Sequence, residues 1–329
     1  MTTRRVFIAQ TLAASAALIA PSGGAFAQAW PSRPIRFVVP LPPGGGYDYL
    51  ARVVAERLQP ALGQPVVIDN RVGADGRIGA AFVSKQPADG HTILIITVTH
   101  VVHASLFRKM PYDILNDFTP VGMIAEVPFA LLVTPDVQAR SPKEYVALAR
   151  ARPGEITFGS SGVGSPYHLA AELLKSSAGI DMLHVPYKGT GPLVTALLSG
   201  EVMSAFAPIH AAFLPHIRAG KLRALGIATG SRTSILPGVP TLEEELSLPG
   251  FSMDGWLGVV APAGTPKPIV DRLNGEMVRI VRDPQFAKEK LLAQSYEPLG
   301  STPEQMGETM KAHFTKYAKM VRDAKIPAE

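Results

Sequence analysis

Three glycine-rich segments have the composition to hold an anion. Pro43-Gly44-Gly45-Gly46 precedes Tyr47 and Asp48. Gly159-Ser160-Ser161-Gly162-Val163-Gly164-Ser165 precedes Pro166 and His168. Tyr187-Lys188-Gly189-Thr190-Gly191 precedes Pro192. Each lies between an apolar run and a stretch of helical periodicity. A turn of this kind offers unpaired backbone N–H groups at the positive end of a helix dipole. Glycine lets a ligand come close to that backbone. The guest such chemistry suits is a small carboxylate, phosphate or sulfate. Ser165 fits an N-cap, and Pro166 and Pro192 fit first helical positions. A turn that only reverses the chain is the plainer reading of any one segment, but three in one chain favour a common guest.

Other chemistry is poorly served. Gly159 to Gly164 is not Gly-x-Ser-x-Gly, and neither a P-loop nor a Gly-x-Gly-x-x-Gly run occurs. With no cysteine, disulfides, zinc–thiolate sites and iron–sulfur clusters are excluded. His100 and His103 are three apart and can share a helix face, but no carboxylate stands at ligand spacing beside them. Ser160, Ser161 or Ser165 with His168 could form the nucleophile and base of an exported α/β hydrolase, yet Ser165 is better explained as a cap. The expectation is therefore binding without catalysis, and no metal or cofactor.

The elements that must position these turns follow from periodicity. Short apolar runs at Ile35–Pro40, Pro65–Asp69, Thr92–Val98, Val127–Thr134, Ile156–Gly159, Met182–Pro186, Leu222–Ala228 and Trp256–Ala261 predict buried strands. Leu50, Val53, Val54, Leu58 and Leu62 predict a helix that Gly63 ends. Helices are also predicted after Ser165, from Pro192 to Ser199, and throughout the tail from Pro266 to about Ala324. Strand and helix alternating over 329 residues imply an α/β fold with open, mostly parallel sheets and about two domains.

The N-terminus reads as an address. Arg4 and Arg5, an apolar stretch from Val6 to Ala20, and Ala25-Phe26-Ala27 form an export signal over residues 1–27. The arginine pair fits a twin-arginine signal as well as an ordinary secretory one, and both routes stay open. The net charge of +5 is small and scattered, unlike a nucleic-acid-binding face.

Longer motifs carry a resemblance. They include Pro40-Leu41-Pro42-Pro43-Gly44-Gly45-Gly46-Tyr47-Asp48, Asn70-Arg71-Val72-Gly73-Ala74, Asp117-Phe118-Thr119-Pro120, the 159–165 segment with His168-Leu169, His184-Val185-Pro186-Tyr187-Lys188-Gly189, Pro240-Thr241-Leu242-Glu243-Glu244 and Ala261-Pro262-Ala263-Gly264-Thr265-Pro266. Over nearly the whole mature chain the sequence resembles the solute receptors of tripartite tricarboxylate transporters, also called the Bug or TctC-like family. The resemblance implies a two-lobed, type II-like periplasmic binding protein. Lobe one would be 28–126 plus 254–329 and lobe two 127–253. A small mono-, di- or tricarboxylate would sit in the cleft and pass to a membrane permease with one large and one small subunit. The chain is expected to act as a monomer. A carboxylate-sensing receptor that serves a signalling partner is the alternative within the binding class.

Matched to the family, the ligand-binding residues are Pro43, Gly44, Gly45, Gly46, Tyr47 and Asp48 in lobe one. In lobe two they are Ser160, Ser161, Gly164, Ser165, His168, Tyr187, Lys188 and Gly189. Thr97, Thr99 and His100 match a further cleft segment. Asp48 is the polar side chain best suited to cap its helix, order a water or meet a ligand hydroxyl. Three departures shape specificity. Met203 and Ala207 stand where the family carries acids, which disfavours a ligand ammonium group. Arg77 replaces the usual asparagine and can clamp a distal carboxylate. Tyr47 stands where smaller residues are common and can stack on an aromatic acid.

Overall fold

A computed structural model describes residues 30–323 and 326, and the export signal expected over 1–27 lies outside them. The described residues form eleven strands: β1 (Ile35–Val39), β2 (Val66–Asn70), β3 (Thr92–Thr97), β4 (Phe118–Glu126), β5 (Phe129–Val133), β6 (Thr157–Ser160), β7 (Leu183–Pro186), β8 (Ser204–Pro208), β9 (Arg223–Ile227), β10 (Trp256–Pro262) and β11 (Glu297–Pro298). The helices of seven or more residues are α1 (Gly46–Leu62), α2 (Arg77–Val83), α3 (Val98–Leu106), α4 (Pro142–Ala151), α5 (Pro166–Ala178), α6 (Thr190–Ser199), α7 (Lys267–Val281) and α8 (Pro303–Asp323).

Two sheets result. The first has the order β11-β4-β10-β3-β1-β2 and the second β7-β6-β8-β5-β9. The apolar alternation of the central strands explains the layers. Phe37, Val39, Ile93 and Ile95 face Leu50, Val54 and Leu58 of α1 and Leu273 and Met277 of α7. Val38, Leu94 and Ile96 face the opposite way, onto Val83 of α2, Val101 of α3 and Met306 and Met310 of α8. Each such buried side chain stabilises by about 1.5–3 kcal/mol, so an apolar run settles at the centre of a sheet covered on both faces.

Several boundaries fall where capping chemistry requires. Gly63 closes α1 in the left-handed region, at φ 71°. Ser165 caps α5 through its hydroxyl, and Pro166 takes the first helical position. Pro192 lies deeper in its helix than expected, because α6 starts at Thr190 with Gly189 at the cap position.

Other expectations are corrected. β4 was not expected, because Pro120 and Gly122 break its apolar pattern. Register shifts between Leu257 and Gly258 and between Val259 and Val260 of β10 accommodate it. β8, Ser-Ala-Phe-Ala-Pro, has weak strand propensity but is wholly buried between β6 and β5. The tail is not one helical stretch, since short turns and β11 separate α7 from α8. The sheets are mixed rather than mostly parallel. β1 pairs in parallel with β2 and β3, and β6 with β7 and β8. β5 and β10, the first strands after each crossing between sheets, run antiparallel to both neighbours.

Candidate functional site

A cavity of about 730 Å³ opens between the two sheets, at the carboxyl ends of β1, β3, β6 and β8. That is where open α/β sheets place ligands. Gly44, Gly45, Gly46 and Tyr47 line it from the first glycine turn, and Thr97 and Thr99 from the β3–α3 junction. Ser161, Gly164 and Ser165 contribute from the second turn, and Gly189 from the third. The three segments thus converge on one space. The two sides touch directly as well, since a Cβ added at Gly164 would lie 2.8 Å from Leu106 of α3.

The electrostatics come from the backbone rather than from cationic side chains. Among the described residues no lysine or arginine lines the cavity, and Asp75 is the formally charged side chain on its wall. Among the described residues no side chain caps α1, which starts from Gly45, or α6, which starts from Gly189. Both first turns therefore keep N–H groups for a guest, and both glycines border the cavity. α3 is different. Its Thr97 hydroxyl accepts the Thr99 N–H at 3.2 Å, while His100 Nδ1 accepts the Thr97 N–H at 3.2 Å. His100 and His103, both on the cavity wall, are held neutral. Burial drives His100 down to about 3, with His103 adding to it, and drives His103 down to about 4, with Arg77 adding to it.

Seven expected site residues do not line the cavity: Pro43, Asp48, Arg77, Ser160, His168, Tyr187 and Lys188. Asp48 is 3% exposed. It accepts from the Gly44 N–H at 2.9 Å, Arg52 Nε at 2.8 Å and Asn70 Nδ2 at 2.9 Å. Burial alone would raise its carboxyl, but these donors outweigh burial and hold it at about 2. Asp48 therefore builds the first turn from behind. Arg77 places its guanidinium carbon 3.4 Å over the Phe107 ring instead of reaching into the cavity. Pro43 and Lys188 are exposed outside the lining, and the Tyr187 hydroxyl donates to Glu201 at 2.8 Å.

Ser160 and His168 support the second turn. Ser160 is fully buried; its hydroxyl donates to the Gly162 carbonyl at 2.9 Å and meets His184 Nε2 at 2.7 Å. His168 Nδ1 accepts the Gly164 N–H at 3.0 Å, and its ring stacks on His184 at 3.9 Å between centroids. Among the described residues the His168 ring bonds to no serine hydroxyl, and Ser160 is closed to substrate, so the geometry does not supply a hydrolase dyad. Among those residues, too, no group of histidines and carboxylates could hold a metal ion, and no helix is long and apolar enough to cross a membrane.

Sequence reasoning missed much of the wall. Tyr49, His103, Phe107, Phe129, Tyr167, His210 and Trp256 line the cavity, and so does Tyr296, whose hydroxyl fills the space a Cβ would need at Gly46. Most are aromatic residues from distant segments, and neither the spacing of the residues nor their periodicity links them to the turns.

Comparison with known proteins agrees with this architecture. The model of the family described as "Tripartite tricarboxylate transporter family receptor" matches residues 50–325. BugT of Bordetella pertussis is 38% identical over 323 residues, covering 98% of this chain and 97% of its own length. The structure titled "R. palustris Rpa4515 with adipate" superposes with a TM-score of 0.76 at 38% identity, covering 91% of this chain and 99% of that one. MatC from Rhodopseudomonas palustris, with bound malate, gives 0.71 at 31% identity, covering 89% and 100%. The matched family is described as a receptor family. A family model spanning most of the sequence, joined to a two-sheet fold with its cavity between the sheets, means that this chain belongs to the tripartite tricarboxylate transporter receptor family.

Proposed function

We propose that the protein is a periplasmic receptor that captures a small carboxylate in the inter-sheet cavity and hands it to a two-subunit permease of the tripartite type. It acts as a monomer, without catalysis or cofactor. Lobe one spans 28–126 plus 254–329, lobe two spans 127–253, and residues 1–27 direct export. The binding residues are the cavity-lining members of the three glycine turns with Thr97 and Thr99. Asp48, Ser160 and His168 act by holding those turns in shape.

One observation carries the reading: uncapped helix starts from both sheets border a cavity that has no lysine or arginine on its described wall. A carboxylate bound by several charge-assisted N–H bonds gains roughly 1.5–3 kcal/mol from each. A handful suffices for a micromolar complex, about −8 kcal/mol, after association costs. The relatives named above with adipate and malate support the same ligand class.

A thermal-shift screen with organic acids tests this. At a hundredfold excess over Kd, binding stabilises by roughly 2.7 kcal/mol. Gly45→Val is the matching variant. Gly45 has φ −76°, and a Cβ there would lie 3.4 Å from the Pro42 carbonyl, so a side chain can be built without refolding the turn. The variant should melt as the wild type does alone and lose the shift with acid. Stabilisation by amines or sugars in place of acids overturns the reading.

A further inference from the structure

The cavity also carries information about the body of its ligand, on the reading that the ligand is a carboxylate. Seven aromatic side chains stand on its wall: Tyr47, Tyr49, Phe107, Phe129, Tyr167, Trp256 and Tyr296. Three of their polar ends are spent on the protein. Trp256 Nε1 donates to His313 Nδ1 at 2.9 Å, and the Tyr49 hydroxyl donates to the Lys290 carbonyl at 3.2 Å. The Tyr167 hydroxyl bonds Thr190 Oγ1 at 3.1 Å, and the Tyr296 hydroxyl packs on Gly46. Trp256, Tyr49 and Tyr167 therefore have mainly ring carbon left to offer a guest.

No cationic side chain stands on the described wall to meet a second negative charge. Arg77, the cation that sequence places nearest, lies on the Phe107 ring at 3.4 Å. Arg52 is engaged by Asp48 at 2.8 Å, and Lys188 is exposed outside the lining. Asp75 lies on the wall and repels a distal carboxylate. His100, His103 and His210 on the wall are all shifted toward the neutral form, chiefly by burial. A dicarboxylate would have to surrender water at its far end without a cationic partner, whereas a flat ring gains offset and edge-to-face contact with the aromatic wall.

We infer that the preferred ligand is an aryl monocarboxylate: one carboxylate at the glycine turns, and an uncharged aromatic body against the ring-lined wall.

Titration calorimetry with benzoate, phenylacetate, hexanoate and adipate tests this on the whole mature chain. Benzoate or phenylacetate should bind at least tenfold more tightly than hexanoate or adipate. Tyr47→Ala should cut the phenylacetate-to-hexanoate preference severalfold, and Asp75→Asn should strengthen adipate more than phenylacetate. Adipate binding as tightly as the aryl acids, or hexanoate matching phenylacetate, overturns the inference while leaving carboxylate capture intact. If none of these acids nor any other acid binds, the carboxylate reading falls and takes the inference with it. The wild-type panel decides the matter even if a variant fails to fold.

Discussion

Asp48 illustrates how a residue can matter to a site it does not touch. Its carboxylate gathers donors from Gly44, Arg52 and Asn70 and so ties the first glycine turn to α1 and to the end of β2. Asp48→Asn removes the charge and sets an amide donor against donors already there. It should cost about 1–3 kcal/mol in a urea melt, the range for an unsatisfied buried polar group. Acid affinity should fall as well, because the turn that presents Gly44, Gly45 and Gly46 loosens. An unchanged midpoint and unchanged affinity would show that the turn holds its own shape. The sign of the pH effect follows from the depressed carboxyl. Asp48 contributes its stability in full above the ordinary value of 3.8 and loses it as pH falls through about 2.

At the scale of elements, the second turn hangs on a pair of stacked histidines. His168, one turn into α5, accepts the Gly164 N–H, and His184, on β7, holds Ser160. Burial lowers both to about 4, with Lys175 adding to it at His168 and His168 adding to it at His184. Both are neutral at pH 7. A histidine depressed in the native state contributes in full above its unfolded value of 6.5, and that contribution drains away as pH falls toward 4. The wild type should therefore lose stability relative to His168→Gln between pH 6.5 and 4, read as converging melting temperatures. A constant gap across that range would show that His168 does not titrate as placed. The same segment shows what sequence could and could not disclose. Its glycines, Ser165 and Pro166 announce a strand, turn and capped helix, because each has a local conformational reason to be there. His184 reaches Ser160 through strand pairing between β6 and β7, and only the fold creates that contact. β8 was hidden for a related reason: burial, not propensity, makes Ser-Ala-Phe-Ala-Pro a strand. Likewise Tyr296 becomes a wall of the cavity only because the tail returns to pack its hydroxyl against Gly46.

At the scale of the molecule, what matters is where the chain crosses between the sheets. β4 ends at Glu126, β5 begins three residues later, and the return crossing carries Asp254. Glu126 stands directly opposite Glu297 in the antiparallel β11–β4 pair, where like charges are unfavourable. The other two acids are answered. Asp254 lies 3.1 Å from His313 Nε2 and 3.3 Å from Lys316 Nζ. One oxygen of Glu297 accepts from the Thr233 hydroxyl at 2.7 Å and from the Ser234 N–H at 2.8 Å, bonding the first sheet to the loop after β9. Burial first, then Asp254 and Glu297, push Glu126 up to about 7. A carboxyl raised in the native state favours folding below its unfolded value of 4.5, and that advantage is lost as pH rises through 7. Glu126→Gln mimics the protonated form at every pH. It should leave the melting temperature nearly unchanged at pH 5 and raise it at pH 8, by the equivalent of about 1–3 kcal/mol for a shift of this size. The carboxylate lies where the chain passes from the first sheet to the second, so the cost falls at their junction. Equal stabilisation at both pH values would assign the gain to packing and remove the acid cluster from the account of the crossing.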